Sequence, residues 1–201
     1  MENLRLPAIP AELHWMHQPL DWQAAPDGSL TIVGGPSTNW FIDPSGNRNQ
    51  DSAPGVLFTP PDANFLLSTR VKVAFAAKFD AGVIQIRAAD DLWAKLCFEY
   101  SPQGQAMIVS VVTRGFSDDC NSDIIPGNEV YLRAAVTPQT IAFHYSRDGR
   151  WWNFVRYFTI GKPAQLQVGF AAQSPWGQQC AVVFSEMRYQ PGVLLDRRNG
   201  D

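Results

Sequence analysis

The sequence predicts an all-β protein in which two large antiparallel sheets stack as a sandwich. Nearly every apolar segment alternates with a period of two, or is short and rich in β-branched and aromatic residues. Turn residues separate these segments at hairpin spacing, and the chain has 15 glycines and 15 prolines. Segments with the spacing of an amphipathic helix are almost absent. In a chain of 201 residues, this pattern favours two stacked sheets over one barrel.

Turn signals and alternation together mark the strands along the chain. Asp27-Gly28 precedes the first strand, and Asp148-Gly149 is typical of a hairpin turn. The predicted strands are residues 30–33, 55–59, 64–76, 81–88, 93–100, 105–114, 130–137, 140–146, 152–160, 165–172 and 179–189. Residues 38–52 are polar and predict a long surface loop. We expect the aromatic side chains of Trp40 and Phe41 to pack this loop against the rest of the protein. Residues 194–201 predict a frayed tail.

Composition indicates a single domain over residues 1–201, with a core from about residue 10 to about residue 190. Hydrophobic residues make up 45% of the chain and charged residues 17%, which excludes disorder. No apolar run approaches the length of a membrane span, and a net charge of −3 argues against nucleic acid as a partner. The start of the chain lacks the pattern of a secretory signal. The missing signal pattern and the three widely spaced cysteines together predict reduced thiols and a cytoplasmic location.

Cysteine and histidine form no recognisable site, so we expect neither a metal nor another cofactor. Cys97, Cys120 and Cys180 include no Cys-x-x-Cys pair. His14 and His17 lie three residues apart, but their aromatic surroundings favour a packing role, and His144 is expected to be structural. The sequence also lacks a Gly-x-Ser-x-Gly elbow, a glycine-rich phosphate loop and His-Glu-x-x-His. The absence of these motifs excludes most enzyme classes that carry a clear sequence signature. Whether the protein is an enzyme stays open, but the sequence favours a noncatalytic protein.

The three central strands, residues 81–88, 93–100 and 105–114, carry a distinctive set of side chains on one face. In the third of them, alternation predicts that Met107, Val109, Val111 and Thr113 face the core. The opposite face of the three strands then carries Gln85, Arg87, Trp93, Lys95, Glu99, Ser110 and Arg114. A Trp ring can stack on the C–H face of a sugar, and Arg donates two hydrogen bonds to a carboxylate or phosphate. This face is therefore either a ligand site, or a wet surface on which Trp93 packs beneath a loop and the charges pair.

Three segments resemble those of a known family. They are LWAKLCFEYSP at residues 92–102, MIVSVVTRGFSDDCN at residues 107–121 and SRDGRWWNFVRYF at residues 146–158. They look like the regulation-of-enolase protein family over about residues 10–190. This resemblance implies the jelly-roll sandwich of the concanavalin-A-like lectin and glucanase superfamily and, by analogy, a carbohydrate-type concave face. The paired carboxylates of a glucanase strand are missing, because no two glutamates lie four residues apart.

Three functions follow as hypotheses. The first is noncatalytic and regulatory binding of a small polar ligand, such as a sugar or sugar acid. Its site would comprise Gln85, Arg87, Trp93, Lys95, Glu99, Arg114, Ser117 and Asp118. The second is hydrolysis of a glycosidic bond by Glu99 with Asp118 or Asp119, although Lys95 is expected to lower the pKa of Glu99, which disfavours a general acid. The third is a protein-interaction module without a small-molecule site, which a homodimer built on a sheet edge would favour.

Overall fold

The computed structural model describes residues 3–201, which form two seven-stranded antiparallel sheets and one two-stranded hairpin. The strands are β1 (His14–Trp15), β2 (Asp21–Ala24), β3 (Leu30–Gly34), β4 (Trp40–Ile42), β5 (Asn49–Asp51), β6 (Gly55–Phe58), β7 (Phe65–Val73), β8 (Ala81–Ala89), β9 (Leu92–Tyr100), β10 (Ala106–Arg114), β11 (Phe116–Ile124), β12 (Glu129–Val136), β13 (Ile141–Ser146), β14 (Asn153–Phe158), β15 (Gln167–Gln173) and β16 (Cys180–Pro191). Within this part of the chain, no helix is long and apolar enough to cross a membrane.

The two sheets enclose one apolar core. The first sheet has the strand order β1–β6–β15–β8–β9–β10–β11, and the second has the order β14–β13–β12–β7–β16–β3–β2. Phe98 and Phe170 of the first sheet and Phe143 and Phe184 of the second are completely buried between them. Burial of large aromatic side chains is a main source of stability in such a sandwich. The predicted all-β architecture is confirmed.

Hairpin β4–β5 covers part of the outer face of the first sheet, which is the face turned away from this core. Trp40 is 2% exposed and donates a hydrogen bond from its indole nitrogen to the carbonyl of Ala53 at 2.8 Å. The backbone N–H of Ile42 donates to the hydroxyl of Ser117 in β11 at 2.9 Å. Trp40 therefore docks residues 38–52 as predicted, but the segment forms a hairpin over a second apolar cluster.

Strand β10 turns its side chains the opposite way from the prediction. Ile108 and Val112 belong to the core between the sheets, whereas Val109 and Val111 belong to the cluster under the hairpin. Ser110 follows the phase of Ile108, so it also leaves the outer face. Both faces of β10 are covered and apolar, and alternation alone therefore cannot decide which face meets the main core.

Two segments near the sheet margins also differ from the sequence-based expectation. Residues 116–124 form the edge strand β11, although no strand was predicted between residues 114 and 130. An edge strand exposed on both faces needs no apolar alternation. Residues 194–201 are docked rather than frayed: a ring nitrogen of His144 lies 2.6 Å from the carbonyl oxygen of Arg197, and Arg133 donates to the carbonyl of Gly200 at 2.8 Å. His144 therefore helps to hold the tail.

Candidate functional site

A cavity of about 300 Å³ opens on the outer face of the first sheet, beside hairpin β4–β5. Strands β9, β10, β11 and β15 form its floor, while the hairpin and two loops form its walls. The floor residues are Lys95, Glu99, Val109, Val111, Asp119 and Gln173. The wall residues are Asn39, Phe41, Asp43, Arg48, Gln50, Phe79, Pro175 and Trp176. We call this space the outer-face cavity.

Strand register brings the floor residues together. Lys95 of β9 is paired with Val111 of β10, which is paired with Asp119 of β11. In a second row, Ala81 of β8 is paired with Glu99 of β9 on one side and with Gln173 of β15 on the other. Opposed residues in an antiparallel sheet point to the same side, so both rows present their polar side chains to the outer face.

A nearly buried hydrogen-bond network crosses the cavity floor. The Lys95 ammonium donates to the Gln173 side-chain oxygen at 2.9 Å and reaches the Asn39 side-chain oxygen at 3.4 Å. The Gln173 amide nitrogen donates to the carbonyl of Phe79 at 3.0 Å and lies 3.4 Å from Glu99 Oε2. Both ends of the Gln173 amide are therefore used, which fixes its orientation. The network also fixes where Lys95 and Glu99 present charge.

The acidity of Glu99 is set mainly by burial. Glu99 is 9% exposed, and loss of water raises its pKa from 4.5 to about 7. Lys95 acts in the lowering direction, as the sequence predicted, but burial outweighs it, and the charge of Asp119 raises the pKa further. The expected net lowering is therefore wrong. Near neutral pH, Glu99 can donate a hydrogen bond as a neutral acid or accept one as a carboxylate.

Trp176 supplies the exposed aromatic surface of the cavity. It lies in the loop after β15, it is 67% exposed, and it lines the cavity mouth with Pro175. Trp176 is not among the site residues predicted from the sequence. A Pro-Trp-Gly segment close after a strand was the available signal, because Pro and Gly are typical of a turn and the segment therefore places an indole at the end of a sheet strand.

Three predicted ligand residues lie under the hairpin instead. Trp93 is 2% exposed and packs edge-to-face against Trp40, with ring centroids 6.2 Å apart. Arg87 forms ion pairs with Asp90 at 2.5 Å and Asp51 at 3.5 Å. Gln85 is completely buried, and neither polar atom of its side chain has a partner. The expectation that Trp93 stacks on a ligand and Arg87 binds it is therefore corrected, because the hairpin shields both.

The remaining predicted residues are divided between the two faces of the sheet. Asp118 pairs in register with Val112 and forms an ion pair with Arg156 of the second sheet at 2.8 Å, so it points away from Glu99. Arg114 follows the same phase and is exposed outside the cavity. Ser117 is used to anchor the hairpin. The pairing of Glu99 with Asp118 is therefore corrected, whereas Asp119 does share the cavity with Glu99.

Comparison with solved structures identifies the fold. A functionally unknown protein from Saccharomyces cerevisiae superposes with a TM-score of 0.80 and 25% identity, over 90% of this chain and 97% of that chain. The GH43 protein BlXynB from Bacillus licheniformis gives a TM-score of 0.71 and 17% identity, over 90% of this chain but 37% of that chain. An alginate lyase from Klebsiella pneumoniae gives a TM-score of 0.60 and 10% identity, over 85% of this chain and 84% of that chain.

These likenesses confirm the predicted concanavalin-A-like jelly-roll sandwich, which this chain shares with carbohydrate-active enzymes. The chain spans only about a third of the GH43 protein, and at such low identity the likeness concerns the fold alone. No curated protein matches the chain. A family model described as "Protein of unknown function (DUF1349)" matches residues 15–192, and the chain therefore belongs to the DUF1349 family.

Proposed function

We propose that this protein is a noncatalytic binding protein for a small sugar or sugar acid, which it holds in the outer-face cavity. The observation that carries this proposal is the buried network of Lys95, Gln173 and Glu99 in the same cavity as the exposed side chain of Trp176. A sugar needs both donors and acceptors for its hydroxyl groups, and an aromatic surface for its C–H face. The cavity offers all three within about 300 Å³.

Each side chain has a distinct part in this proposal. Trp176 stacks on the sugar ring, Lys95 donates to a hydroxyl oxygen, and Glu99 accepts from a hydroxyl or, when protonated, donates to one. Arg48 of the hairpin lines the same cavity and is exposed, so it is placed to bind the carboxylate of a sugar acid. A preformed network limits the loss of side-chain freedom on binding, which favours affinity.

A thermal-shift screen followed by calorimetric titration tests this proposal, using neutral monosaccharides, disaccharides and sugar acids. A ligand at 100 times its dissociation constant should stabilise the protein by about 2.7 kcal/mol. Trp176→Ala should abolish the shift. Trp151→Ala is the matched control, because Trp151 is 73% exposed in a different loop. The proposal fails if no compound stabilises the wild type, or if both variants retain the same affinity.

The acidity of Glu99 favours a second candidate, which is cleavage of a glycosidic bond. A carboxyl group with a pKa of about 7 is suited to act as a general acid, and Asp119 lines the same cavity. In this scheme, Glu99 protonates the leaving oxygen, and Asp119 serves as nucleophile or activates water. Aryl glycosides and sugar oligomers are the substrates to test. Turnover that Glu99→Gln and Asp119→Asn each abolish would replace the binding proposal with catalysis.

A regulatory role in the cytoplasm is also part of the proposal, as the resemblance to regulation-of-enolase proteins implies. The three thiols are free, and Cys97 and Cys180 are buried in separate clusters, which suits a reducing compartment. Size-exclusion chromatography with light scattering tests the alternative interaction role. A stable homodimer without any small-molecule ligand would favour a protein-interaction module over sugar binding.

A further inference from the structure

A second cavity, of about 400 Å³, lies on the outer face of the second sheet. A β-bulge in β16 and the turn after β13 shape it. The bulge falls between Ser185 and Arg188, where Glu186 adopts a left-handed backbone conformation with φ of 49°. In the turn, Gly149 also has a positive φ, and a Cβ there would meet the Tyr131 ring at 3.1 Å. The bulge and the close approach of the turn to Tyr131 give this region a defined shape.

The carboxylates in this cavity already have partners. Asp148 accepts hydrogen bonds from the backbone N–H groups of Arg150 and Trp151, each at 2.9 Å, and these bonds lower its pKa. Glu186 accepts from the Tyr131 hydroxyl at 2.9 Å and also lies 3.5 Å from Arg70. Among residues 3–201, neither acid forms an ion pair with Arg150 or Arg188.

Two guanidinium groups of this cavity have no ion-pair partner in the part of the chain that the structure describes. Arg150 and Arg188 both line it and are exposed. Within residues 3–201, neither forms an ion pair, whereas Arg5, Arg70, Arg87 and Arg156 each do. Two such groups lining one cavity favour a ligand with at least two negative charges, since each guanidinium can donate a bidentate pair of hydrogen bonds.

A third guanidinium lies against the ring of Trp152, which is one of the residues that line the cavity. Arg133 is 6% exposed, and its guanidinium lies 4.1 Å from the ring centre of Trp152, which itself lines the cavity. One hydrogen bond from Arg133 goes to Gly200, while its Nε is buried without a partner. A buried cation is screened less by salt than an exposed one, although the negative charge of Asp201 acts on Arg133 from the tail side.

We propose that this cavity binds a phosphate group through Arg150 and Arg188, either as free phosphate or as the monoester of a small polar molecule. Phosphate fits better than a single carboxylate because its oxygens can engage both guanidinium groups at once. Ser68 also lines the cavity and can donate through its hydroxyl. Trp152 and Tyr131 offer apolar surface to the organic part of a monoester. This inference does not depend on sugar binding in the outer-face cavity.

NMR titration of the intact protein tests this inference, with the indole N–H signal of Trp152 as the local probe. The probes are inorganic phosphate, glucose 6-phosphate and glucose. If the site takes free phosphate, inorganic phosphate and glucose 6-phosphate should both move the Trp152 signal. If it requires the organic part of a monoester, glucose 6-phosphate alone should move it. Glucose should not move it. Arg150→Ala and Arg188→Ala should each weaken binding by about tenfold or more, while Arg114→Ala, an exposed arginine of the first sheet, should change nothing.

Several outcomes would overturn the inference. They are a Trp152 signal that neither phosphate moves, equal affinity in the wild type and the two arginine variants, and an equal response to glucose. Folding of each variant is checked by its amide spectrum, because both arginines are exposed and their loss should leave the core intact. Trp176→Ala removes the outer-face site and should leave phosphate binding unchanged, so failure of one site is distinguishable from failure of the other.

Discussion

Glu99→Gln replaces a buried carboxyl group with an amide of nearly the same shape and gives the sharpest test of the site electrostatics. Burial raises the pKa of Glu99 from 4.5 to about 7, so the folded state binds this proton more tightly than the unfolded state. The stabilising contribution is therefore complete below pH 4.5 and is lost as the pH rises to about 7. A pKa difference of 2.5, at 1.36 kcal/mol for each unit, corresponds to about 3 kcal/mol.

The assay is urea unfolding of wild type and Glu99→Gln at about pH 4.5 and about pH 8. Glutamine cannot ionise, so the variant should gain about 3 kcal/mol relative to wild type between the two conditions. Comparison of the two proteins at each pH cancels the other titrating groups. Glu12→Gln is the control, because Glu12 forms a surface ion pair with Arg5 and its loss should change stability by less than about 1 kcal/mol. A constant difference between wild type and Glu99→Gln would refute the argument from burial.

Three further predictions concern the hairpin, the tail and the sheet. Trp93→Ala should lower the free energy of unfolding in urea by about 3–5 kcal/mol because the ring is buried. Trp176→Ala should change it by no more than about 0.5 kcal/mol, and similar losses in the two variants would contradict the assignment of Trp176 to the surface. Burial lowers the pKa of His144 from 6.5 to about 4, so its stabilising contribution should be lost as the pH falls through this window; the stability of wild type relative to His144→Gln should fall accordingly, as urea unfolding of both proteins at the two ends of the window would measure. Gly169→Ala should destabilise by about 3 kcal/mol or more, since its Cβ would lie 2.0 Å from the Val56 carbonyl oxygen; an unchanged urea midpoint would contradict this.

The fold was predictable because its main strands either alternate with a period of two or are short runs of β-branched and aromatic residues between turns. Strands β7, β8, β9 and β13 were all found within three residues of their ends, and each has a regular apolar face. Strand β11 was missed because its exposed edge position imposes no apolar pattern. The phase of β10 was wrong because an apolar cluster on each side makes both of its faces alike.

The candidate site was only partly predictable, because it combines segments that are distant in the sequence. Lys95 and Glu99 were found, since a lysine and a glutamate at strand spacing stand out in an otherwise apolar run. Gln173 ends a different strand, and Asn39 directly precedes the hairpin, in the segment that was predicted as a loop. Only the strand order of the sheet and the docking of the hairpin bring them to Lys95, and neither is encoded in local periodicity.

The hairpin decides which polar residues of the outer face can reach a ligand. Its docking buries Trp93 and Arg87 and leaves Lys95 at its margin, where the ammonium meets the Asn39 side chain at 3.4 Å. The same Asn39 oxygen accepts the backbone N–H of Trp40 at 2.8 Å, so the position of Lys95 and the seating of the hairpin are physically coupled. A substitution that loosens Trp40 should therefore disturb the cavity floor as well as the apolar cluster, even though Trp40 itself does not line the cavity.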